Sequence, residues 1–124
     1  MLTATDQLRL KDIHPDLKRV VNRAVALGAK FRVIEGLRTI ERQKQLVASG
    51  ASKTMKSRHI TGHAVDLAPL EPDGDVSWAW PLYYPLAKII KRAAIEEGVS
   101  IEWGGDWRTF KDGPHWQLPW AKYK

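Results

Sequence analysis

The chain has 124 residues, 44% of them hydrophobic and 27% charged, with 20 Lys and Arg against 14 Asp and Glu, a net charge of +6, and no cysteine. That length supports a single domain burying roughly two-thirds of the surface its unfolded form exposes, and the composition excludes a fibrous or wholly disordered chain. Zero cysteines exclude disulfide scaffolds, thiol nucleophiles and Cys-ligated zinc ribbons, and no apolar run approaches the roughly 20 residues of a membrane helix.

Met1 to Asp6 lacks a basic head followed by an apolar stretch, so no secretory signal is expected and synthesis in the cytoplasm is the default. Leu17, Val20, Val21, Ala24 and Leu27 recur at helical spacing, with Pro15 suited to a first turn and Gly28 to the stop, which predicts a helix over 15–28. Phe31 to Glu35 is short, β-branched and alternating, and reads as a strand. Thr39 is placed to cap a second helix to about Ala48, with Ile40, Gln43 and Leu46 or Val47 on one side and Gly50 beyond its end. Ala51 to Arg58 is a polar, basic connection. His63 to Leu67 alternates again as a second strand, and Pro69 to Asp75 carries a Pro-Asp-Gly turn signal. A third helix is expected from Pro81 or Pro85 to Glu97, turning Leu86, Ile89, Ile90 and Ala93 inward. Val99 to Trp103 and His115 to Leu118 read as the last strands, with a Gly- and Trp-rich loop between them. The short final connections favour antiparallel pairing, so the expected class is α+β.

The basic residues are scattered from Arg9 to Lys124, and the densest cluster, Lys53, Lys56 and Arg58, holds three charges. This reads as a solvated surface with weak attraction to anionic partners, against the rival of a nucleic-acid-binding module. Gly104-Gly105 lacks the spacing of a phosphate-cradling loop.

The chemistry concentrates around two histidine segments. In Ser57-Arg-His59-Ile-Thr-Gly62-His63-Ala64-Val-Asp66, an extended 63–67 puts Ala64 and Asp66 on one face and His63, Val65 and Leu67 on the other, so Asp66 turns back toward His59. In Asp112-Gly-Pro-His115, a tight turn brings an aspartate and a histidine toward one point. His59, Asp66 and His115 together offer two imidazole nitrogens and one carboxylate oxygen, a set that suits zinc and leaves a fourth position open. Asp112 then reads as a general base or simply as the opening of a turn. Arg38 reads as a cation for a developing oxyanion, or as the ion-pair partner of Glu35 or Glu41. Asp66 in an apolar strand calls for a cation, which a metal, Arg38 or Arg58 supplies. A His59-x-x-x-His63 helical pair fails, because Ile60 stands where a zinc-protease H-E-x-x-H has Glu and Thr61-Gly62 is a poor helix interior. His14 and His63 read as structural. The six tryptophans read as core or, beside the glycines and His115, as groove wall.

These segments resemble the zinc peptidoglycan peptidases that include D-alanyl-D-alanine carboxypeptidases and dipeptidases and phage L-alanyl-D-glutamate endolysins. The S-x-H-x-x-G-x-A-x-D motif is present as Ser57, His59, Gly62, Ala64 and Asp66, the acid-x-x-H motif as Asp112 and His115, and the upstream Arg motif as Gly36-Leu-Arg38-Thr with Gln43 following. Trp103 to Trp116 looks like the endolysin branch, and the resemblance covers about residues 12 to 118. It implies an antiparallel sheet flanked by helices, Zn2+ on His59, Asp66 and His115, Asp112 as general base and Arg38 as substrate or oxyanion contact. Ser57, Gln43 and Trp116 are expected to contact substrate. The implied reaction is hydrolysis of the L-alanyl-D-glutamate amide in peptidoglycan stem peptides, with a D-alanyl-D-alanine carboxypeptidase or dipeptidase as the alternative. Carboxypeptidase members usually place Glu where this chain has Asp112, and a shorter base must stand closer to the reacting water. The further expectations are one catalytic domain over 1–124 without a wall-binding domain, a monomer, no nucleic-acid partner, and a lysin reaching the wall from the host cytoplasm by holin-dependent release.

Overall fold

A computed structural model describes residues 2–52 and 54–123; Met1, Lys53 of the basic cluster and Lys124 lie outside them. The elements are α1 (Ala4–Leu10), α2 (Pro15–Ala26), β1 (Phe31–Glu35), α3 (Ile40–Ala48), β2 (Ala64–Pro69), α4 (Trp80–Glu97), β3 (Glu102–Trp103) and β4 (His115–Gln117), with 3-10 turns at Arg58–Thr61 and Gly104–Asp106. The strands form one antiparallel sheet in the order β1-β2-β4-β3. The class is therefore α+β, as the connection lengths imply.

Alternation along the two central strands separates a core face from a site face. Val65 pairs with Trp116 and Val33 with Leu67, and all four are buried in the core with Leu17, Val20 and Val21 of α2 and Leu86 and Ile90 of α4. Directly opposed residues of an antiparallel pair point the same way, so Asp66 and His115, which pair, stand side by side on the other face. Ala64 pairs with Gln117 one step along.

The segment before α2 forms α1, an element the hydrophobic period does not announce. Thr3 and Asp6 make a capping box at its start. Asp6 is buried, and its second oxygen accepts the Val33 N–H at 2.9 Å, so one carboxylate caps the helix and completes β1. The last turn of α1 lies on the chain after β1, where a side chain at Gly36 would collide with the Arg9 carbonyl.

Three sequence expectations shift. The α3 helix has the expected limits and Thr39 cap, but Ile40 is 52% exposed and its one buried residue is Gln43. It covers a polar groove instead of the apolar core. The strand expected from Val99 shrinks to Glu102–Trp103, because Gly98 adopts φ 67° and the Val99 N–H returns to the Ala94 carbonyl at 2.9 Å, ending α4. The α4 helix starts at Trp80 and tolerates Pro85 inside it, where that proline is exposed near the N-terminal end. No described helix is long and apolar enough to cross a membrane.

Candidate metal centre

His59, Asp66 and His115 converge from three segments, with their ligand atoms all within 4.8 Å of one another. His59 Nε2 lies 3.2 Å and His115 Nδ1 3.4 Å from the same oxygen, Asp66 Oδ1. Each side chain is positioned locally. Asp66 and His115 are cross-strand neighbours on the site face. His59 sits in the 3-10 turn that Ser57 starts by accepting the His59 N–H on its hydroxyl, and that Gly62 ends at φ 76°. A side chain at Gly62 would also press on the Asp12 carbonyl, 2.8 Å from its Cβ position.

The outer ring nitrogens decide what the inner ones offer. His59 Nδ1 lies 2.8 Å from the Gly36 carbonyl, and His115 Nε2 lies 2.7 Å from Gln117 Oε1. A carbonyl oxygen only accepts, so both outer nitrogens donate their protons, and each ring in its neutral form turns a bare lone pair on Asp66. Two imidazole lone pairs and a carboxylate facing one point repel unless a proton or a cation stands among them. This is also how metal-ligating histidines are held, with the distal N–H on a carbonyl. The residues therefore fit a divalent cation bound by two nitrogens and one oxygen, with an open fourth position.

Without a cation, burial works to raise the Asp66 carboxyl, but its hydrogen bonds to His115 and His59 outweigh that and hold it well below the usual carboxylate range. Burial works against the His115 imidazolium, and the Asp66 hydrogen bond and charge push its pKa up nonetheless. Asp112 moves upward, by burial first and then by the nearby Asp66 charge. Its carbonyl accepts the His115 N–H at 3.2 Å, its own N–H donates to Gly104 at 3.0 Å, and the Leu67 N–H ties the Pro114 carbonyl to β2 at 2.9 Å. The Asp112–His115 turn is thus fixed at both ends.

The trio lies in a groove of about 750 Å³ that Arg38, Ser57, Trp107, Phe110, Lys111 and Asp112 also line. Another cleft, about 780 Å³, runs past Tyr84, Lys88 and Lys91 and contains none of the three candidate ligands. The Arg38 guanidinium is 4.0 Å from Asp66 Oδ2 and is itself held by Glu35 and by Gln43 Oε1, the latter at 2.7 Å. In that geometry Arg38 pairs with Glu35 and lines the groove that holds the trio.

Two expected substrate contacts are corrected. Gln43 is fully buried, accepting from Arg38 and donating to the Ser52 hydroxyl at 2.8 Å and to the Thr54 carbonyl, so it ties the 51–57 connection to α3. Trp116 is 1% exposed and stacks on Trp103 with ring centres 5.6 Å apart, on the core face of β4. Ser57 does line the groove, with its hydroxyl engaged by the His59 N–H and, at 3.4 Å, by Arg38. Of the other basic residues, Arg58 is buried with its guanidinium on the Leu118 and Tyr123 carbonyls, which anchors the last residues. His14 and His63 face each other at 5.4 Å outside the trio.

Sequence reasoning missed the Gly36 carbonyl, which no residue type signals, and Gln117. The latter was findable, since it stands two residues from His115 and a strand repeats its faces every two residues.

The antiparallel α+β domain thus carries on its sheet a His, Asp, His cluster of the kind that can hold a metal ion. The vancomycin-resistance D,D-dipeptidase VanXYg has this fold, with a TM-score of 0.53 at 16% identity over 86% of this chain and 50% of that one. The chain belongs to the family described as phage L-alanyl-D-glutamate peptidase, whose profile matches residues 1–117. It is 32% identical over 109 residues to the L-alanyl-D-glutamate peptidase of Escherichia phage T5, covering 84% of this chain and 79% of that one. The crystal structure of the Serratia marcescens L-Ala D-Glu endopeptidase ChiX superposes with a TM-score of 0.91 at 47% identity, covering 98% of this chain and 92% of that one.

Proposed function

We propose that this chain is a zinc-dependent endopeptidase that hydrolyses the L-alanyl-D-glutamate amide of peptidoglycan stem peptides, with His59, Asp66 and His115 as the metal ligands. The observation that carries the reading is the pair of imidazoles whose outer N–H groups are fixed on Gly36 and Gln117 while their lone pairs meet at Asp66. Family membership and the likeness to ChiX support the choice of bond.

Zinc, when bound there, acidifies water and polarises the scissile carbonyl. Asp112 takes the proton from the attacking water and returns it to the departing amine of D-glutamate, a transfer worth on the order of 10²- to 10⁴-fold. Burial first, and then the nearby Asp66 charge, push its carboxyl upward, which makes it a better proton acceptor than an exposed carboxylate. Arg38 offsets the negative charge that develops on the carbonyl oxygen, and Glu35 and Gln43 hold its guanidinium in place. Ser57 holds the His59 turn at the groove edge.

The reading extends to a single catalytic domain acting as a monomer, and to a phage-type lysin whose access to the wall depends on a holin. Purified sacculi digested with and without a chelator test the reaction. New N-terminal D-glutamate, found by mass spectrometry only without chelator, is the expected result. Loss of terminal D-alanine alone would contradict it.

A further inference from the structure

We propose that the cleft lined by Tyr84, Lys88, Lys91, Trp103, Asp106 and Lys111 is an anion-binding subsite, one that takes the carboxylate-bearing part of the stem peptide departing with D-glutamate. The inference rests on the amide-hydrolysing reading above and adds to it what lies beyond the cleaved bond.

The chemistry of the substrate makes its two sides unlike. D-Glutamate has two carboxyl groups and the chain beyond it consumes one, so the other stays free, and the C-terminus adds a further negative charge. L-Alanine, on the other side of the bond, brings none. The departing amine must come within reach of Asp112, which returns the proton to it, so the anionic side of the peptide leaves the metal centre past the Asp112 turn. Lys111, next in the chain to Asp112, lines both the metal groove and the neighbouring cleft and so stands between them.

The cleft suits that part of the peptide. Its volume is about 780 Å³, and it sets three lysines against one aspartate. The Lys91 ammonium donates to Asp106 at 2.7 Å and lies 5.2 Å from the Trp103 ring centre, so that pair is already matched. Lys88 and Lys111 are exposed, and among the described residues no carboxylate lies within ion-pair distance of either. Their charge is left over for an anion. Tyr84 is 56% exposed and meets Trp103 edge-on with ring centres 5.9 Å apart, an aromatic wall for aliphatic carbons. The Trp103 indole N–H donates to the Gly113 carbonyl at 2.7 Å, which ties the cleft to the Asp112 turn. The two arginines of the metal groove are otherwise employed, Arg38 on Glu35 and Arg58 on the Leu118 and Tyr123 carbonyls.

The test compares an N-acetylated L-alanyl-D-glutamyl stem peptide with free carboxylates and the same peptide with amides at the D-glutamate carboxyl and the C-terminus, by the ratio of their kcat/KM values. The wild-type chain is expected to favour the acid form, and the preference should shrink as added salt screens the attraction. Lys88→Gln and Lys111→Gln are each expected to lower the ratio roughly 2- to 5-fold, chiefly through KM for the acid form. Lys88→Arg should keep the preference. Lys30→Gln, which removes an exposed charge outside the cleft, should also keep it. An unchanged ratio in Lys88→Gln and Lys111→Gln would overturn the subsite. So would an equal fall in Lys30→Gln, which would make the effect one of net charge, or a fall in Lys56→Gln alone, which would seat the carboxylate inside the metal groove. Equal use of both substrates by the wild-type chain would overturn it and leave the peptidase intact, whereas cleavage of neither would refute the peptidase reading and the subsite with it.

Discussion

Gly104 sits beneath the turn that carries Asp112 and His115, and Gly104→Ala perturbs the proposed base and one proposed ligand without touching either residue. A Cβ at position 104 would overlap the Asp112 carbonyl and stand 3.0 Å from Asp112 Cβ and 3.1 Å from His115 Cβ. The carbonyl is backbone and already accepts the His115 N–H, so no flexible side-chain end absorbs the contact. Restoring ordinary van der Waals spacing moves the turn by about 1 Å. A misplacement of that size costs on the order of 100-fold in turnover, while overpacking of one methyl costs about 1 to 3 kcal/mol of stability. Release of soluble fragments from sacculi measures the first and urea unfolding the second. Ile90→Val, a buried α4 substitution far from the turn, controls for stability with an expected loss of about 0.5 to 1.5 kcal/mol and normal turnover. Wild-type turnover in Gly104→Ala would refute the claim that this turn sets the catalytic geometry.

Asp112→Ala is expected to keep its metal and lose activity by 10²-fold or more, roughly the range of general-base loss, whereas His115→Ala loses both; equal metal loss in the two, by elemental analysis, contradicts the division of roles. Gln117→Leu removes the acceptor that orients His115 and should weaken metal affinity about 10- to 100-fold, read by competition with a chromogenic chelator. The Tyr123 hydroxyl donates to Asp16 at 2.7 Å; this bond, with help from Arg19, lowers the Asp16 carboxyl, and the same bond raises the Tyr123 phenol against the opposing Arg19 charge. The stability from this contact is full above the ordinary Asp pKa of 3.8 and is lost as pH falls through the lowered value. On the alkaline side it is full below the ordinary Tyr pKa of 10.0 and is lost as pH rises through the raised one. Asp16→Asn should flatten the acid limb of a stability-against-pH curve, and an unaltered limb counts against the assignment.

Where one physical rule governs a segment, its structure is legible in the sequence. The 3.6-residue period of α2 and the period of two in β2 are such cases, and the second put Asp66 on the His59 side of its strand before any coordinates. The failures come where two rules compete. In α3 the helical period is real, but the helix covers a groove, so a buried amide replaces the apolar stripe. After α4 the β-branched run from Val99 loses to the helix-ending hydrogen bond that Gly98 permits. Trp116 alternates with His115 and so must face the core, a consequence of the strand assignment that outranks its nearness to the histidine. Most of what holds the centre is backbone: the Gly36 carbonyl, the Gly104 carbonyl and the Pro114 carbonyl. Residue identity reports such groups only indirectly, through the glycines that let them approach.

Anomalous diffraction from crystals of the zinc-equilibrated chain puts the shared-ion claim to its most direct test. The account predicts one peak about 2.0 to 2.2 Å from His59 Nε2, His115 Nδ1 and an Asp66 oxygen. Protein that still cleaves sacculi while showing no peak there, or a peak bound by other residues, would contradict it.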